Sequence, residues 1–169
     1  MIHLVKPEVY DNLYREEQYM KYNCISIIIN KNFKGDVIDV GCGTGLLYEY
    51  IIEANSKLSG RYICLDPVEE MLLIASNKIN DYRVIFIKAY AEDPPLRPFI
   101  GDLVLSISTW GLLRQDQYLL GNLKTLARKP GIVILTGHPR TYVTRPSEID
   151  NDFEHLGSCI DDIYVARIR

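Results

Sequence analysis

Residues 37–45, with the sequence Val-Ile-Asp-Val-Gly-Cys-Gly-Thr-Gly, carry the clearest chemical signal in the chain. A short apolar run with Asp39 near its end leads into a turn that holds Gly41, Gly43 and Gly45. Glycine has no Cβ, so a ligand can lie against the backbone of such a turn, and the free N–H groups of a following helix point to the same place. The segment therefore predicts a ligand site where a strand passes into a helix.

The spacing of the glycines argues against two phosphate-binding turns. A dinucleotide-binding turn has the spacing G-x-G-x-x-G, whereas here the third glycine comes one residue early and Leu46 takes its place. A P-loop would end in Gly-Lys-Ser/Thr, and no lysine follows Gly45. A carboxylate next to the turn suits a ligand with an ammonium group better than a pyrophosphate. The alternative is a tight turn with no ligand.

The sequence VIDVGCGTG resembles motif I of the class I S-adenosylmethionine-dependent methyltransferases. Residues 61–66 then form a second strand that ends at Asp66, at about the interval expected for a ribose-binding carboxylate. In the family this segment is motif II, which implies that Asp66 holds the ribose and that the following residues flank the adenine. An N-cap would need the same residue type at the position of Asp66, and both roles can coexist.

Residues 83–96 resemble motif III of the same family, in which a strand is followed by a turn that touches the adenine. Tyr90 stands where the family often has aspartate, so the contact must come from the Ala91 backbone, Glu92 or stacking of Tyr90. The resemblance as a whole implies S-adenosylmethionine as cofactor, S-adenosylhomocysteine as product, and a set of cofactor-binding candidates. These are Tyr14, Asp39, Gly41, Cys42, Gly43, Gly45, Asp66, Pro67, Met71, Ala91, Glu92 and Ser106.

The acceptor pocket is expected at the end of the fourth strand, residues 101–109, because open α/β sheets bind ligands at the carboxyl edge of their strands. Trp110 is a candidate for a substrate wall, with core packing as the alternative. His138, after the fifth strand, could take a proton, although a surface or capping role is the alternative. Tyr10 is the third pocket candidate. No metal is expected, and no catalytic residue is assigned, because an activated methyl group mainly requires alignment.

An amino-terminal helix is expected within residues 7–32, where Tyr10, Tyr14 and Tyr22 recur at helical offsets. Residues 10–18 resemble the openings of small archaeal methyltransferases of this type. The resemblance implies that the helix packs over the cofactor, so we expect residues 1–32 to form a helical lid. In the alternative, the tyrosines are half-buried anchors of an ordinary packed helix.

The order of the elements predicts an α/β fold: a Rossmann-like, seven-stranded, mostly parallel sheet with its last strand antiparallel and helices on both faces. We expect one domain over residues 1–169, with a cofactor-binding core at 36–137 and a short carboxyl-terminal segment at 138–169. That segment is predicted to hold a final hairpin with its turn at residues 161–162. The helix between strands five and six should be small or missing.

The charge, length and cysteine content of the chain limit its possible functions. With a formal net charge of −3, the chain of 169 residues has no general attraction to nucleic acid. Its four cysteines are scattered without paired spacing, which favours buried free thiols, and the lack of a signal peptide or membrane-length apolar run predicts a cytoplasmic protein. Methyl transfer to a small molecule is the favoured function. The alternatives are a methyltransferase that acts on RNA or protein with a partner subunit, and a non-catalytic cofactor-binding regulator.

Overall fold

Seven strands form one sheet in this computed structural model, which describes residues 5–26, 28–29, 35–54 and 58–169. The strands are β1 (Val37–Val40), β2 (Tyr62–Asp66), β3 (Val84–Lys88), β4 (Gly101–Ser106), β5 (Ala127–Gly137), β6 (Glu154–Ser158) and β7 (Asp162–Ile168). Their order is β3-β2-β1-β4-β5-β7-β6, with β1 to β5 parallel. β7 runs antiparallel to both of its neighbours. The predicted sheet is confirmed, including the antiparallel last strand.

Helices cover both faces of the sheet. They are α1 (Pro7–Ile25), α2 (Leu46–Glu53), α3 (Glu69–Lys78), α4 (Gln117–Leu126) and α5 (Pro146–Ile149). Successive side chains of a strand point to opposite faces, so Val37 packs into the core with α1, α2 and α3, whereas Ile38 packs with the buried leucines of α4. The described part of the chain contains no helix that is long and apolar enough to cross a membrane.

The carboxyl-terminal segment differs in detail from the sequence prediction. The expected small helix is α5, which has four residues. The hairpin turn comprises residues 159–161, because β7 already begins at Asp162. A register shift between His155 and Gly157 displaces the strand pairing from the one that the apolar runs suggest. Because β7 is antiparallel, its first residue and this turn lie at the edge of the sheet where the parallel strands end.

The four cysteines form two disulfides, so the expectation of free thiols is wrong. Cys24 of α1 is bonded to Cys159 in the β6–β7 turn, and Cys42 after β1 is bonded to Cys64 of β2. Sequence spacing did not reveal the pairs because tertiary structure brings them together. In the β1–β2 ladder, for example, Asp39 stands opposite Cys64, which places Cys42 close to that strand. Both disulfides connect elements that surround the candidate cofactor site.

Candidate cofactor site

A cavity of about 140 Å³ lies at the carboxyl edge of the sheet, between α1 and the ends of β1, β2 and β4. Eight of the predicted site residues line this cavity. They are Tyr10, Gly41, Gly43, Asp66, Pro67, Met71, Ala91 and Glu92. The remaining wall is made of Leu65, Tyr90, Ile107, Ser108, Thr109, Leu112 and Leu113. The wall is mostly apolar, with a few polar groups that converge on it, which is the usual composition of a small-molecule site.

The glycine-rich turn presents its backbone to the cavity. The N–H of Gly41 donates to the carbonyl oxygen of Leu65 at 2.7 Å, which holds the turn against β2. Gly43 has a φ of +55°, and a Cβ built there would meet no atom within 4 Å, because it would project into open space. A Cβ on Gly45 would instead lie 2.7 Å from the Ile79 side chain. Gly43 therefore leaves room for a ligand, whereas Gly45 allows the turn to pack on α3.

Asp66, at the end of β2, connects this turn to the start of α3. One carboxylate oxygen accepts a hydrogen bond from the Gly43 N–H at 2.9 Å, and the other accepts one from the Val68 N–H at 2.8 Å. Val68 is the N-cap residue of α3, so Asp66 forms an Asx turn ahead of the helix and is not its N-cap. Asp66 also lines the cavity, so its carboxylate group lies next to any ligand bound there.

The third segment of the wall contains all three candidates for an adenine contact, Tyr90, Ala91 and Glu92. Glu92 is oriented by its neighbours: its Oε1 accepts from the Arg114 N–H at 3.3 Å, and its carbonyl oxygen accepts from the Asn122 side chain at 2.6 Å. These bonds attach the turn after β3 to Arg114, which precedes α4, and to Asn122 within α4. They keep this side of the cavity in place.

The end of β4, where the acceptor pocket was expected, supplies three cavity residues that the sequence analysis did not single out. Ile107, Ser108 and Thr109 line the cavity, whereas Ser106, the predicted cofactor residue, is fully buried beneath them. The Ser106 hydroxyl donates to the carbonyl oxygen of Val40 at 3.0 Å and lies 2.6 Å from the Thr109 hydroxyl. Ser106 thus supports the wall and does not form it. The strand-end position was the available signal, but the sequence did not show where the strand would stop.

Trp110 and His138, the two other pocket candidates, do not line the cavity. Trp110 is fully buried in the core with α4, and its indole N–H donates to the carbonyl oxygen of Thr144 at 2.8 Å. The Nδ1 of His138 accepts from the Arg140 N–H at 3.2 Å, in the turn that follows β5. Core packing and capping, the alternatives considered from the sequence, describe these two residues.

Asp39, Cys42 and Tyr14 also lie outside the cavity wall. Asp39 is buried on the face covered by α1 to α3, where it accepts a hydrogen bond from the Tyr62 hydroxyl at 2.6 Å. Burial raises the pKa of Asp39 to about 7, although the bond from Tyr62 opposes this shift. Cys42 points toward Cys64, its disulfide partner. The ring of Tyr14 lies 5.0 Å from that of Tyr10, on the same side of α1, as the four-residue spacing predicted.

Helix α1 covers the cavity and is attached to the elements around it. Tyr10 lines the cavity, and Asp11, next to it, accepts hydrogen bonds from the Thr44 hydroxyl at 2.5 Å and from the Lys78 ammonium group at 2.6 Å. Arg15 forms an ion pair with Glu49 of α2 at 3.0 Å. The amino-terminal half of α1 is therefore bound to the glycine-rich turn, α2 and α3.

Among the described residues, no group of three or more histidine, cysteine, aspartate and glutamate side chains could hold a metal ion. The polar groups of the site are instead the backbone of a glycine-rich turn, a strand-end carboxylate and hydroxyls. Such groups hold an organic ligand by hydrogen bonds.

Comparisons with known proteins agree with this geometry. A family model described as a methyltransferase domain matches residues 37–131, which is more than half of the 169 residues. A comparison with curated protein sequences finds no match.

Solved structures share the fold. A protein from Methanococcus maripaludis, named as an S-adenosyl-L-methionine-dependent methyltransferase, is 14% identical over 96% of this chain and 90% of its own, with a TM-score of 0.77. A SAM-dependent methyltransferase from Aquifex aeolicus is 18% identical over 96% of this chain and 97% of its own, with a TM-score of 0.70. A chain from a complex of a methyltransferase with the Haloferax volcanii Trm112 methyltransferase activator is 16% identical over 76% of this chain and 56% of its own, with a TM-score of 0.67.

The chain belongs to the methyltransferase-domain family. It is a class I S-adenosylmethionine-dependent methyltransferase, as motif I predicted, and S-adenosylmethionine is its cofactor. The resemblance to archaeal proteins that residues 10–18 suggested is a separate matter and stays a prediction.

Proposed function

We propose that the cavity at the carboxyl edge binds S-adenosylmethionine and that the protein transfers its methyl group to a small molecule. The observation that supports this most directly is the space in front of Gly43, next to the Asp66 carboxylate. In this arrangement the ribose hydroxyls bind Asp66. The adenine lies between Pro67 and Met71 on one side and Ala91 and Glu92 on the other.

The amino-acid portion of the cofactor then lies along Gly41 and Gly43, and the sulfonium group faces α1 and the end of β4. The cofactor supplies a methyl group that is already activated. The work of the protein is to align the acceptor with the carbon–sulfur bond and to exclude water. Ile107, Leu112 and Leu113 give this part of the wall the apolar character that water exclusion requires.

The cavity is small for a ligand site. A volume of about 140 Å³ is below the roughly 300–1,000 Å³ usual for small-molecule sites. The cofactor and an acceptor can both enter only if a wall moves. We therefore assign α1 as a lid that opens and closes, with Tyr10 over the sulfonium, where an aromatic ring stabilises a cation.

A second candidate is methyl transfer to RNA or protein with the help of a partner subunit. β3 is an edge strand, and Ile85 on it is 40% exposed, with the exposed Tyr82 and Tyr90 on either side of the strand. An exposed edge can pair with a strand of another protein. One of the structures that share this fold was solved with a methyltransferase activator. The cytoplasmic location stays a prediction.

The test begins with calorimetric titration of the purified protein with S-adenosylhomocysteine. Binding at a single site is expected, and no binding would contradict the cofactor site. The protein is then incubated with S-adenosylmethionine labelled in its methyl group and with cell extract separated into small-molecule, RNA and protein fractions. Label in the small-molecule fraction alone supports the favoured acceptor, and label in a macromolecular fraction supports the second candidate. Binding without transfer to any fraction would support the non-catalytic regulator.

A further inference from the structure

Asp161 is buried in the turn between β6 and β7 and connects three separate elements of the site. Its side chain is 2% exposed. The Oδ2 atom accepts a hydrogen bond from the Ser108 hydroxyl at 2.7 Å and one from the Thr136 hydroxyl at 2.9 Å. The Oδ1 atom lies 3.2 Å from the ammonium group of Lys21 on α1. A single carboxylate therefore contacts the helix over the cavity and the ends of β4 and β5.

Lys21 is the partner of Asp161 on the helix, and its side chain is 7% exposed. Its ammonium group also donates to the Ser108 hydroxyl at 3.1 Å and pairs with Glu17 at 2.7 Å. A buried ammonium group without a carboxylate partner is strongly unfavourable. The carboxyl-terminal half of α1 is therefore bound to the core through Asp161, just as the amino-terminal half is bound through Asp11.

Ser108 is the point at which this network meets the cavity. It lines the cavity and has a φ of +59°, which is unusual for a residue other than glycine. Its backbone N–H donates to the Thr136 hydroxyl at 2.8 Å, and its side chain lies between Lys21 and Asp161. Such backbone conformations persist where the surroundings impose them, and they are concentrated at functional sites.

We propose that Asp161 is a positioning residue, which couples the closed position of α1 to the conformation of the cavity wall at Ser108. The inference rests on the proposed function, because it assigns a role at the same cofactor site. When Lys21 is in place, Asp161 and Lys21 together orient the Ser108 hydroxyl. When the helix moves away, Ser108 loses one of its two side-chain partners. Cofactor affinity should then depend on Asp161, although this residue does not line the cavity.

The Cys24–Cys159 disulfide is a second connection between the same two elements. Cys24 lies three residues after Lys21 on α1, and Cys159 lies two residues before Asp161 in the turn. The disulfide limits how far the helix can separate from the turn, but it makes no bond to Ser108. Loss of Asp161 should therefore weaken cofactor binding even when the disulfide is intact. The effect should increase in the Cys24→Ser background, in which the helix has neither connection.

The experiment compares S-adenosylhomocysteine affinity by calorimetry in the full-length wild type, Asp161→Asn, Lys21→Met and Ser108→Ala. Asp150→Asn is the matched control, because Asp150 is a partly buried carboxylate that also pairs with a lysine, Lys124 of α4, at 2.6 Å on the other face of the sheet. Asp161→Asn and Lys21→Met should each weaken binding about tenfold, within the range of typical coupling between sites. The control should keep wild-type affinity even if its thermal stability falls.

Two further measurements separate positioning from general stability. Hydrogen exchange should show faster exchange in α1 for Asp161→Asn but not for Asp150→Asn. The Ser108→Ala and Asp161→Asn effects on affinity should be non-additive, since the carboxylate acts through the serine. Additive effects, or wild-type affinity in Asp161→Asn, would overturn the inference while leaving the cofactor site intact. If Asp161→Asn does not fold, Lys21→Met and Ser108→Ala give the same test, and wild-type affinity in both overturns it. A wild type that binds no S-adenosylhomocysteine would contradict the proposed function instead, and the exchange of α1 would still report the coupling.

Discussion

The backbone N–H of Gly43 donates a hydrogen bond of 2.9 Å to the carboxylate of Asp66. This bond joins the turn after β1 to the end of β2, which are separated by 23 residues in the chain. It places the open space in front of Gly43 next to the carboxylate of Asp66, which lines the same cavity. The relationship explains why two segments that are distant in sequence form one ligand site.

Asp66→Ala is expected to weaken S-adenosylhomocysteine binding about ten- to a hundredfold. The loss corresponds to about 1.5–3 kcal/mol for hydrogen bonds to a charged group. Calorimetry measures the change, and Glu69→Ala, an exposed carboxylate in the first turn of α3, is the control. Equal affinities for the two variants would show that Asp66 does not contact the ligand.

Gly43→Val and Gly45→Val should fail in different ways. The valine at 43 projects into the cavity and should abolish binding while the domain stays folded. The valine at 45 would lie against Ile79, so its main effect should be a lower melting temperature. Both variants carry a side chain at positive φ, a strain of about 1–3 kcal/mol. Circular dichroism and calorimetry on both proteins distinguish the two losses, and normal binding by Gly43→Val would mean that the turn is only structural.

Tyr10→Ala should weaken cofactor binding. A cation–π contact contributes about 0.5–2 kcal/mol, so the expected loss is about two- to thirtyfold for S-adenosylmethionine. S-adenosylhomocysteine, which lacks the positive sulfur, should lose less. Leu13→Ala is the control, because Leu13 lies on the same helix and is 62% exposed. If both ligands weaken equally, Tyr10 acts by packing and not through the cation.

Because of Asp39, the free energy of unfolding should decrease as pH rises from about 4 to about 7. Its pKa is raised to about 7 in the fold, from about 3.9 in an unfolded chain. The folded state therefore holds more protons than the unfolded state in this interval, and the free energy of unfolding decreases with pH. Urea titrations of the wild type and Asp39→Asn at several pH values measure the difference between the two curves.

The matched control for this pH effect is Asp81→Asn. Asp81 pairs with Arg83 and bonds to Tyr48, which hold its pKa below the usual range. A lowered pKa gives stability that is present above pH 4 and is lost as pH falls further. The difference in the free energy of unfolding between the wild type and Asp81→Asn should therefore change only below pH 4. An Asp39→Asn difference that does not vary between pH 4 and pH 7 would contradict the raised pKa.

Much of the architecture followed from local patterns. The glycine-rich turn, the strand that ends at Asp66 and the apolar run of β4 each depend on neighbouring residues, and their order along the chain predicted the sheet. Tyr10 and Tyr14 share a side of α1 because a helix has 3.6 residues per turn, which needs no tertiary information. The lesser accuracy at element ends is seen at β6 and β7, where the hairpin turn comprises residues 159–161 and not 161–162.

The tertiary structure alone decided which residues of distant segments are in contact. Trp110 and His138 were plausible pocket residues because of their side-chain chemistry. The packing of β4 against β5 and α4 instead buries the Trp110 side chain in the core. The same folding paired Cys24 with Cys159 and placed Asp161 between Lys21 and Ser108. Local sequence determines which backbone conformations are favourable, so it identified the family and the glycine-rich turn at the proposed cofactor site. Contacts between segments separated by up to 135 residues depend on how the sheet and helices pack, so the spacing of residues in the sequence does not predict them.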